Sequence, residues 1–321
     1  MDHAFPLFQQ TYGLIQRAER ILLLADLAPD GDSIGSSSAM LNWLIREGKK
    51  VTAFCQEPIP STLHFLDNIH LFTNDTNVFS EGHDLVISFD ASSRQRTGLT
   101  DHGHKLSPQH TLIVVDHHAT NERFGHVNVV LTEACSTAEV LYRFCEQHKI
   151  VMDDKMATAL LAGILFDTSF FSNSGTTTKG VEAAGHLVAQ GARYTHAIQH
   201  MLKNKSVPAL RLWGLALSRL THRPSLDLAY TYFRHEDLRD VPRYEEAVAG
   251  VSNFLNATVA GVDAILVITE MPDQQIRGSL RSLTRDVSKL AKLLGGGGHK
   301  KAAGFTVKGQ LKEVNGTVRI T

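Results

Sequence analysis

The first half of the sequence carries acidic residues in a pattern that could hold a divalent metal ion. The segment DLAPDGDSIGS at residues 26–36 places Asp30 and Asp32 on either side of a single glycine. Two carboxylates this close repel each other unless a cation lies between them. A helix cap on a solvated turn is the alternative, because aspartate and serine both suit that position. Asp30 and Asp32 are therefore candidate metal ligands.

Further candidate ligands follow at two other points of the chain. Asp116, His117 and His118 are consecutive at the end of the apolar run TLIVVD. Imidazole and carboxylate ligands together suit Mn²⁺, Zn²⁺ or Fe²⁺, and a neighbouring carboxylate often fixes the tautomer of a ligating histidine. Asp167 ends an apolar helical pattern, where the helix dipole disfavours a negative charge and a cation would compensate for it. Solvated strand and helix ends are the alternative at both points.

Glycines and basic residues near the end of the sequence could bind a phosphate group. Four glycines at 295–298 follow a helical pattern, and His299 comes directly after them. Such a segment can present several backbone N–H groups to an anion. Upstream, Ser279 and Arg281 share one face of a predicted strand, and a guanidinium can bind a phosphate through two hydrogen bonds. A flexible linker and a strand with an ordinary polar face are the alternatives.

Strand and helix patterns alternate through the first half of the chain and would position the acidic residues. Four apolar runs lack polar alternation, as is typical of strands buried on both faces; they lie at 21–26, 50–55, 84–90 and 111–116. Helical patterns between them predict a parallel sheet covered by helices on both sides. Three runs end in Asp26, Asp90 and Asp116. These carboxylates should converge at the carboxyl edge of the sheet, where ligands bind.

The pattern beyond residue 136 indicates a second domain. Residues 136–203 are mostly helical, and the polar segment KNKSVP at 203–208 is typical of a linker. A further helix, a strand pair with a helix between, another strand and a last helix follow. We therefore predict an α/β domain over residues 1–203, a linker at 204–208, and a smaller α/β domain over 209–321 across a cleft.

Composition limits the classes of function. The 321 residues include 32 Lys+Arg and 33 Asp+Glu, a net charge of −1, which argues against long duplex or single-stranded nucleic acid held by an extended basic surface. Three cysteines without close spacing predict neither disulfides nor a thiolate zinc site. The longest apolar run is about half the ~20 residues of a membrane span, and the first residues are not typical of a signal peptide. We expect a cytoplasmic protein without membrane association.

Taken together, these segments resemble the DHH phosphoesterase superfamily, in the branch that carries a DHHA1 domain. The matching motifs stand in the family's order and are Asp30-Gly-Asp32 with Gly35-Ser36, Asp90, Asp116-His117-His118, Asp167, the segment SLRS at 279–282, and Gly295–Gly304. The most similar subgroup degrades very short oligoribonucleotides and dephosphorylates 3′-phosphoadenosine 5′-phosphate. Its relatives cleave linear or cyclic dinucleotides. The resemblance implies hydrolysis of one of these substrates and favours a homodimer.

The resemblance also implies two Mn²⁺ ions per site, with Mg²⁺ as the other candidate, and a water activated between them. Asp90 would bridge the ions. His118 would face the phosphate, and Asp116 would orient His117 from behind. One ion would be held by Asp32, Asp90, His117 and Asp167, and the other by Asp30 and Asp90. The substrate's terminal phosphate would be bound in the second domain by Ser279, Arg281, Ser282, Gly296, Gly297, Gly298 and His299.

Asp26 stands where the family normally has a histidine. As a ligand it would give the second ion three carboxylates, which favours Mg²⁺ or Mn²⁺ over softer metals. The same change could weaken the site. A phosphodiesterase for dinucleotide messengers and a nucleotide-binding protein with weakened catalysis are therefore the alternatives to an oligoribonuclease.

Overall fold

The computed structural model describes residues 4–321 except 174, 203–205, 240, 242–243, 249 and 315–316. Contacts divide the chain into two compact units, residues 1–204 and 205–321. The linker expected at 204–208 remains a prediction, since 204 and 205 lie outside the described residues. Ser206 caps a helix that begins at Val207. None of the helices in the described ranges is long and apolar enough to cross a membrane.

The first unit is built on the parallel sheet that the apolar runs predict. Its six strands lie in the order β3-β2-β1-β4-β5-β6, and all neighbours are parallel. The strands are β1 (Arg20–Leu24), β2 (Lys50–Phe54), β3 (Phe72–Thr73), β4 (Leu85–Phe89), β5 (Thr111–Asp116) and β6 (Val127–Val130). Sequence analysis missed β3 and β6 because they are only 2 and 4 residues long.

Both faces of this sheet are covered by apolar side chains, which explains the lack of alternation in its strands. Along β1, Ile21 and Leu23 pack into one core cluster, whereas Leu22 and Leu24 pack into another. Every residue of β4 is buried. The helices of this unit are α1 (Phe5–Arg17), α2 (Gly31–Arg46), α3 (Leu99–His102), α4 (Thr137–Gln147), α5 (Asp154–Asp167), α6 (Thr178–Ala189) and α7 (Tyr194–Met201).

Two glycines, Gly35 and Gly163, allow α2 and α5 to pack closely beside Asp32. A Cβ added at Gly35 of α2 would lie 2.5 Å from the carbonyl oxygen of Ala159 on α5. A Cβ added at Gly163 of α5 would lie 2.8 Å from Oδ1 of Asp32. The two helices can therefore approach this closely only because both positions lack a side chain.

The second unit contains a mixed sheet with helices, as the α/β prediction requires. The strand order is β11-β12-β10-β9-β8-β7, with β8 and β9 parallel and the other neighbours antiparallel. The strands, including a separate β13–β14 hairpin, are β7 (Thr221–Arg223), β8 (Leu228–Phe233), β9 (Ala264–Met271), β10 (Gln275–Arg281), β11 (Gly297–His299), β12 (Ala302–Lys308), β13 (Leu311–Val314) and β14 (Thr317–Ile320).

One helix of this unit differs from its prediction. The pattern predicts a single helix over 244–255, but the structure has two, separated around Gly250, which adopts a φ of +89° that ends a regular helix. The helices of the second unit are α8 (Val207–Ser218), α9 (His235–Leu238), α10 (Tyr244–Val248), α11 (Val251–Thr258) and α12 (Val287–Leu293).

Candidate metal centre

Three aspartates meet at the carboxyl edge of the first sheet, as the strand pattern predicts. Strands β1, β4 and β5 are adjacent and parallel, so Asp26, Asp90 and Asp116 follow or complete neighbouring strands. Asp90 is buried with a φ of +61°, a left-handed conformation that costs free energy in a residue other than glycine. Such strain is typical of a side chain that is held in place for a function.

The start of α2 positions the next two carboxylates. Asp30 caps the helix, and its Oδ1 accepts hydrogen bonds of 3.0 Å from the backbone N–H groups of Asp32 and Ser33. Asp32 is fully buried, and its carboxylate accepts hydrogen bonds of 2.6 and 2.9 Å from the backbone N–H groups of Thr137 and Ala138. These N–H groups begin α4, where the helix dipole favours a negative charge. The capping interpretation thus holds for Asp30.

Thr137 is a residue that sequence reasoning did not single out. Its hydroxyl group donates a hydrogen bond of 3.0 Å to Oδ1 of Asp90, while its backbone N–H group bonds Asp32. One residue thereby fixes two carboxylates from different elements. The role of Thr137 becomes visible only once α4 is placed over the edge of the sheet.

His117 turns one ring nitrogen toward these carboxylates. Its Nδ1 lies 3.3 Å from the carbonyl oxygen of Ala134, which assigns the ring proton to that nitrogen. Its Nε2 is buried and lies 3.0 Å from Asp167 Oδ2, 3.8 Å from Asp90 Oδ1 and 3.9 Å from Asp32 Oδ2. A ring nitrogen that faces three carboxylates can bind a metal ion once it has lost its proton.

The electrostatics of the cluster also call for a cation. Burial first, and the neighbouring Asp167 second, raise the pKa of Asp32 to about 7 and that of Asp30 to about 6. Burial and the charges of Asp32 and Asp30 raise the pKa of Asp90 well above its usual range. Burial opposes a charge on His117, but a hydrogen bond to Asp167 and the charges of Asp32 and Asp167 raise its pKa to about 9. Donor atoms of Asp32, His117 and Asp167 lie within 4.8 Å of one another and fit one divalent ion, and Asp90 Oδ1 lies 3.8 Å from His117 Nε2.

His118 and Asp116 form a separate pair beside this cluster. Oδ1 of Asp116 accepts a hydrogen bond of 2.8 Å from Nδ1 of His118, and Oδ2 accepts one of 2.5 Å from Asn121. Asp116 also bonds the backbone N–H of His117, but the ring that it orients is that of His118, whereas Ala134 orients the ring of His117. The structure thus differs from the expected pairing. Asp116 raises the pKa of His118 and leaves Nε2 as the nitrogen free to act on a substrate.

Asp26 is placed differently from the ligand that the resemblance implies. Its buried carboxylate accepts hydrogen bonds from both Nε (2.6 Å) and Nη2 of Arg96, and Oδ1 also accepts one of 2.8 Å from the N–H group of Ala28. Among the described residues, donor atoms lie within 4.8 Å of one another in two groups: Asp90, Asp116, His117 and His118 form the first, and Asp32, His117 and Asp167 form the second. Neither group includes Asp26 or Asp30. The donors implied for a second ion therefore do not fit it. Sequence reasoning missed Arg96, although a buried Asp26 requires such a partner.

In the second unit, two of the predicted phosphate ligands share a cavity. Ser279 and Arg281 line a space of 330 Å³ together with Arg277 and Asn253. Arg281 is held by a hydrogen bond of 2.6 Å from Nε to Asn253 Oδ1. Burial, together with the charge of Arg277, lowers its pKa. Two neighbouring guanidinium groups favour an anionic ligand. Arg277 was missed because only the SLRS segment matched the family pattern.

Ser282 does not line this cavity. Its buried hydroxyl group donates to the carbonyl oxygen of Asp263 at 2.5 Å and accepts from the N–H groups of Thr284 and Arg285. These bonds stabilise the turn after β10. Ser282 directly follows β10, whereas Ser279 lies within the strand.

The glycine run forms an edge strand beside the same face. Gly297 is paired with Gly304, which is paired with Ser279; His299 is paired with Ala302, which is paired with Arg281. Opposed residues of antiparallel strands share a face. Gly297 and His299 therefore occupy positions on the same face of the sheet as Ser279 and Arg281, which line the cavity. A Cβ at Gly296 would lie 2.1 Å from Gly304 O, and Gly298 has a φ of +128°. The side chain of His299 lies outside the described residues.

Comparison with known proteins agrees with this arrangement. Residues 20–164 match the DHH family, N-terminal domain, and residues 245–319 match the DHHA1 domain. The chain therefore contains a DHH N-terminal domain and a DHHA1 domain. It is 28% identical to the "bifunctional oligoribonuclease and PAP phosphatase NrnA" of Thermus thermophilus, over 90% of this chain and 84% of the relative. It is 26% identical to the "cyclic-di-AMP phosphodiesterase GdpP" of Geobacillus thermodenitrificans, over 89% of this chain but only 44% of that relative.

A solved structure shares the fold. The crystal structure of an "exopolyphosphatase-related protein" from Bacteroides fragilis superposes with a TM-score of 0.86 and 22% identity, covering 98% of this chain and 92% of the other. The predicted fold class is confirmed, a six-stranded parallel sheet with helices followed by a second α/β unit, and the predicted DHH and DHHA1 domains are both present.

Proposed function

We propose that this DHH-family protein is a metal-dependent phosphoesterase that hydrolyses short oligoribonucleotides and dinucleotides to mononucleotides, and that it also removes the 3′ phosphate from 3′-phosphoadenosine 5′-phosphate. The observation that carries the proposal is the buried Nε2 of His117, which faces the carboxylates of Asp32, Asp90 and Asp167. The similarity to the relative named oligoribonuclease and PAP phosphatase supports the choice of substrates. We expect it to act in the cytoplasm.

The metal proposed for the cluster is Mn²⁺, with Mg²⁺ as the second candidate. Asp32, Asp90, His117 and Asp167 would hold it, which is a mixture of carboxylate and imidazole that suits Mn²⁺. When bound, the ion neutralises charge on a phosphoryl oxygen and makes a nearby water more acidic. Burial of the cluster strengthens this effect because water does not screen it.

His118 is the residue that we assign to the reacting phosphate. Asp116 holds its Nδ1, so the ring keeps one orientation. The raised pKa that Asp116 gives to His118 favours the imidazolium form, which can donate a proton or hydrogen bond from Nε2 to a phosphoryl or leaving oxygen. The ring is 39% exposed, which leaves it accessible to a substrate.

In the second unit we assign the binding of a substrate phosphate to Ser279, Arg281 and the glycine strand Gly296–Gly298 with His299. The cavity beside Arg281 has the volume of a small-ligand site. The net charge of −1 provides no extended basic surface for a long strand. Both features favour a substrate of one to a few nucleotides.

Two alternatives remain open to experiment. Similarity to the cyclic-di-AMP phosphodiesterase favours a dinucleotide messenger as substrate, although the chain spans less than half of that relative. The replacement of the family histidine by Asp26 favours a nucleotide-binding protein with weakened catalysis. We further propose a homodimer, which analytical ultracentrifugation would test.

Hydrolysis of three substrates by one preparation distinguishes these possibilities. The dinucleotide pApA, 3′-phosphoadenosine 5′-phosphate and cyclic di-AMP are each incubated with Mn²⁺ or Mg²⁺, and the products are separated by chromatography. We expect AMP from the first two. Faster cleavage of cyclic di-AMP would favour the messenger enzyme, and tight binding without products would favour the binding protein. Asp32→Asn removes a proposed ligand at constant size, and Asp101→Asn, at an exposed position of α3, is the matched control.

A further inference from the structure

The loop after β1 is joined to the loop after β4 by an ion pair that no resemblance implies. The side chain of Arg96 bonds both oxygens of Asp26, and the carbonyl oxygen of Arg96 accepts a hydrogen bond of 2.6 Å from the N–H group of Leu27. Asp26 is 4% exposed and Arg96 is 42% exposed. Three hydrogen bonds thus fix Arg96 and its guanidinium group at the rim of the acidic cluster.

The chemistry of Asp26 explains this pairing. A carboxylate matches the planar fork of a guanidinium group, whereas a neutral imidazole would leave its lone pair to a metal and attract no arginine. A divalent ion on Asp26 would face the fixed positive charge of Arg96, which repels it. Asp26 and Arg96 therefore form a matched pair that excludes the second ion.

Arg96 also lies close enough to the cluster to contribute its charge there. Beyond the hydrogen bonds from Arg96 to Asp26, the charges of Asp90 and Asp30 act on its guanidinium group. Its hydrogen bonds to Asp26 use Nε and Nη2, and the side chain is exposed on the remaining side. This leaves the N–H groups of Nη1 without a hydrogen bond among the described residues and available to an anionic substrate.

We propose that this enzyme binds a single divalent ion per chain and that the Arg96 guanidinium, held by Asp26, replaces the second ion as the positive charge beside the substrate phosphate. The number of bound ions does not depend on what the protein hydrolyses. The contact between Arg96 and a substrate phosphate rests on the proposed phosphoesterase function.

Counting the bound metal tests the first part without any variant or substrate. Metal-free protein is saturated with Mn²⁺, unbound ion is removed, and manganese per chain is measured by mass spectrometry alongside the electron paramagnetic resonance spectrum. We expect about one ion per chain and the spectrum of an isolated Mn²⁺. Two ions per chain with a magnetically coupled spectrum would overturn the proposal.

Two double variants test whether the Asp26–Arg96 pair determines how many metal ions bind. The uncharged double variant, Asp26→Asn with Arg96→Gln, keeps a hydrogen-bonding pair of similar size but removes both charges. The imidazole double variant, Asp26→His with Arg96→Gln, offers the ligand of the family and removes the repelling cation. We expect one ion per chain in the uncharged double variant and two in the imidazole double variant. A folded imidazole double variant that still binds one ion would show that the pair does not exclude the second ion. If that variant does not fold, the parent's metal count still decides.

Turnover of the dinucleotide tests the role of Arg96. The uncharged double variant should lower kcat/KM by about tenfold or more, as expected when a hydrogen bond to a charged group is lost, and the imidazole double variant should recover part of it. Arg94→Gln, a change at an exposed neighbour, should leave kcat/KM unaltered. Parental rates in the uncharged double variant would overturn the role of Arg96. A parent that hydrolyses no substrate would instead refute the proposed function, with the metal count unaffected.

Discussion

The hydroxyl group of Thr137 donates a hydrogen bond of 3.0 Å to the carboxylate of Asp90. The two residues are 47 positions apart in the sequence, and Thr137 also bonds Asp32 through its backbone N–H group. Asp90 is held in a left-handed backbone conformation, and a conformation with that cost persists only where the surroundings fix it. The Thr137 contact supplies one such constraint on the metal site.

Replacing Thr137 by valine should therefore weaken the metal site without unfolding the protein. Valine keeps the shape of the side chain and leaves the backbone bond to Asp32 intact, but Asp90 loses its partner. Loss of such a contact behind a ligand typically lowers metal affinity or activity about 10–100-fold. Calorimetric titration with Mn²⁺ measures the affinity. Thr137→Ser retains the hydroxyl group and should stay close to the parent; equal affinities in all three proteins would contradict this role.

The helix contact between α2 and α5 makes a second prediction. A methyl group at Gly163 would lie 2.6 Å from Cβ of Ala138 and 2.8 Å from Oδ1 of Asp32, so Gly163→Ala must move either a helix or a metal ligand. We expect a loss of about 1–3 kcal/mol in the free energy of unfolding, typical of an overpacked core, together with weaker Mn²⁺ binding.

Gly185 of α6 provides the matched control, because a Cβ there meets no atom within 4 Å. Gly185→Ala should be neutral or slightly stabilising, since alanine suits a helix better than glycine. Urea denaturation of both variants, with and without Mn²⁺, measures the difference. A Gly163→Ala protein with parental stability and affinity would show that the packing tolerates the extra methyl group.

The raised pKa values of the cluster predict how stability depends on pH. The pKa values of Asp30 and Asp32 are about 6 and 7 in the folded protein, against an ordinary value of 3.8. Above pH 3.8, and up to about pH 6 for Asp30 and about pH 7 for Asp32, these carboxyl groups bind more protons in the metal-free folded protein than in the unfolded chain. Their contribution to stability is therefore complete below pH 3.8 and is lost as the pH rises through 6 and 7.

Metal binding reverses this trend, because Mn²⁺ needs the deprotonated carboxylates. Saturating Mn²⁺ should raise the melting temperature more at about pH 8 than at about pH 5.5, and binding should release protons at the lower pH. Thermal unfolding across this range, with and without Mn²⁺, gives the two curves. In Asp32→Asn the metal-free curve should be flatter. An equal shift by Mn²⁺ at both pH values would contradict the prediction.

The sequence predicts more of the first unit than of the second, for a physical reason. Runs such as Leu85–Phe89 are apolar on both faces because each face packs against a separate core, and that pattern indicates a parallel sheet by itself. The convergence of Asp90 and Asp116 then follows from strand direction. The glycine strand Gly297–His299 has no side-chain pattern that distinguishes it from a loop.

Partners contributed by distant segments could not be predicted in this way. Arg96 pairs with Asp26 across 70 residues, and Thr137 reaches Asp32 across 105. Each contact depends on how two loops or helices meet at the sheet edge, which local periodicity does not encode. The ring that Asp116 orients is likewise decided by the turn after β5, where Oδ1 bonds the N–H groups of both histidines. Arg96 and Thr137 hold carboxylates at the metal site, and Asp116 holds the ring of His118.

The cavity of the second unit supports a last prediction. Arg281→Gln removes a guanidinium group that lines the cavity beside Arg277, and it should raise KM for the dinucleotide about tenfold or more while kcat changes less, because a hydrogen bond from a charged group to the substrate phosphate is lost. Arg285→Gln is the control: Arg285 bonds Asp263 and Asp227 instead of lining the cavity. Steady-state kinetics would contradict the assignment if both variants raised KM equally, or if Arg281→Gln lowered only kcat.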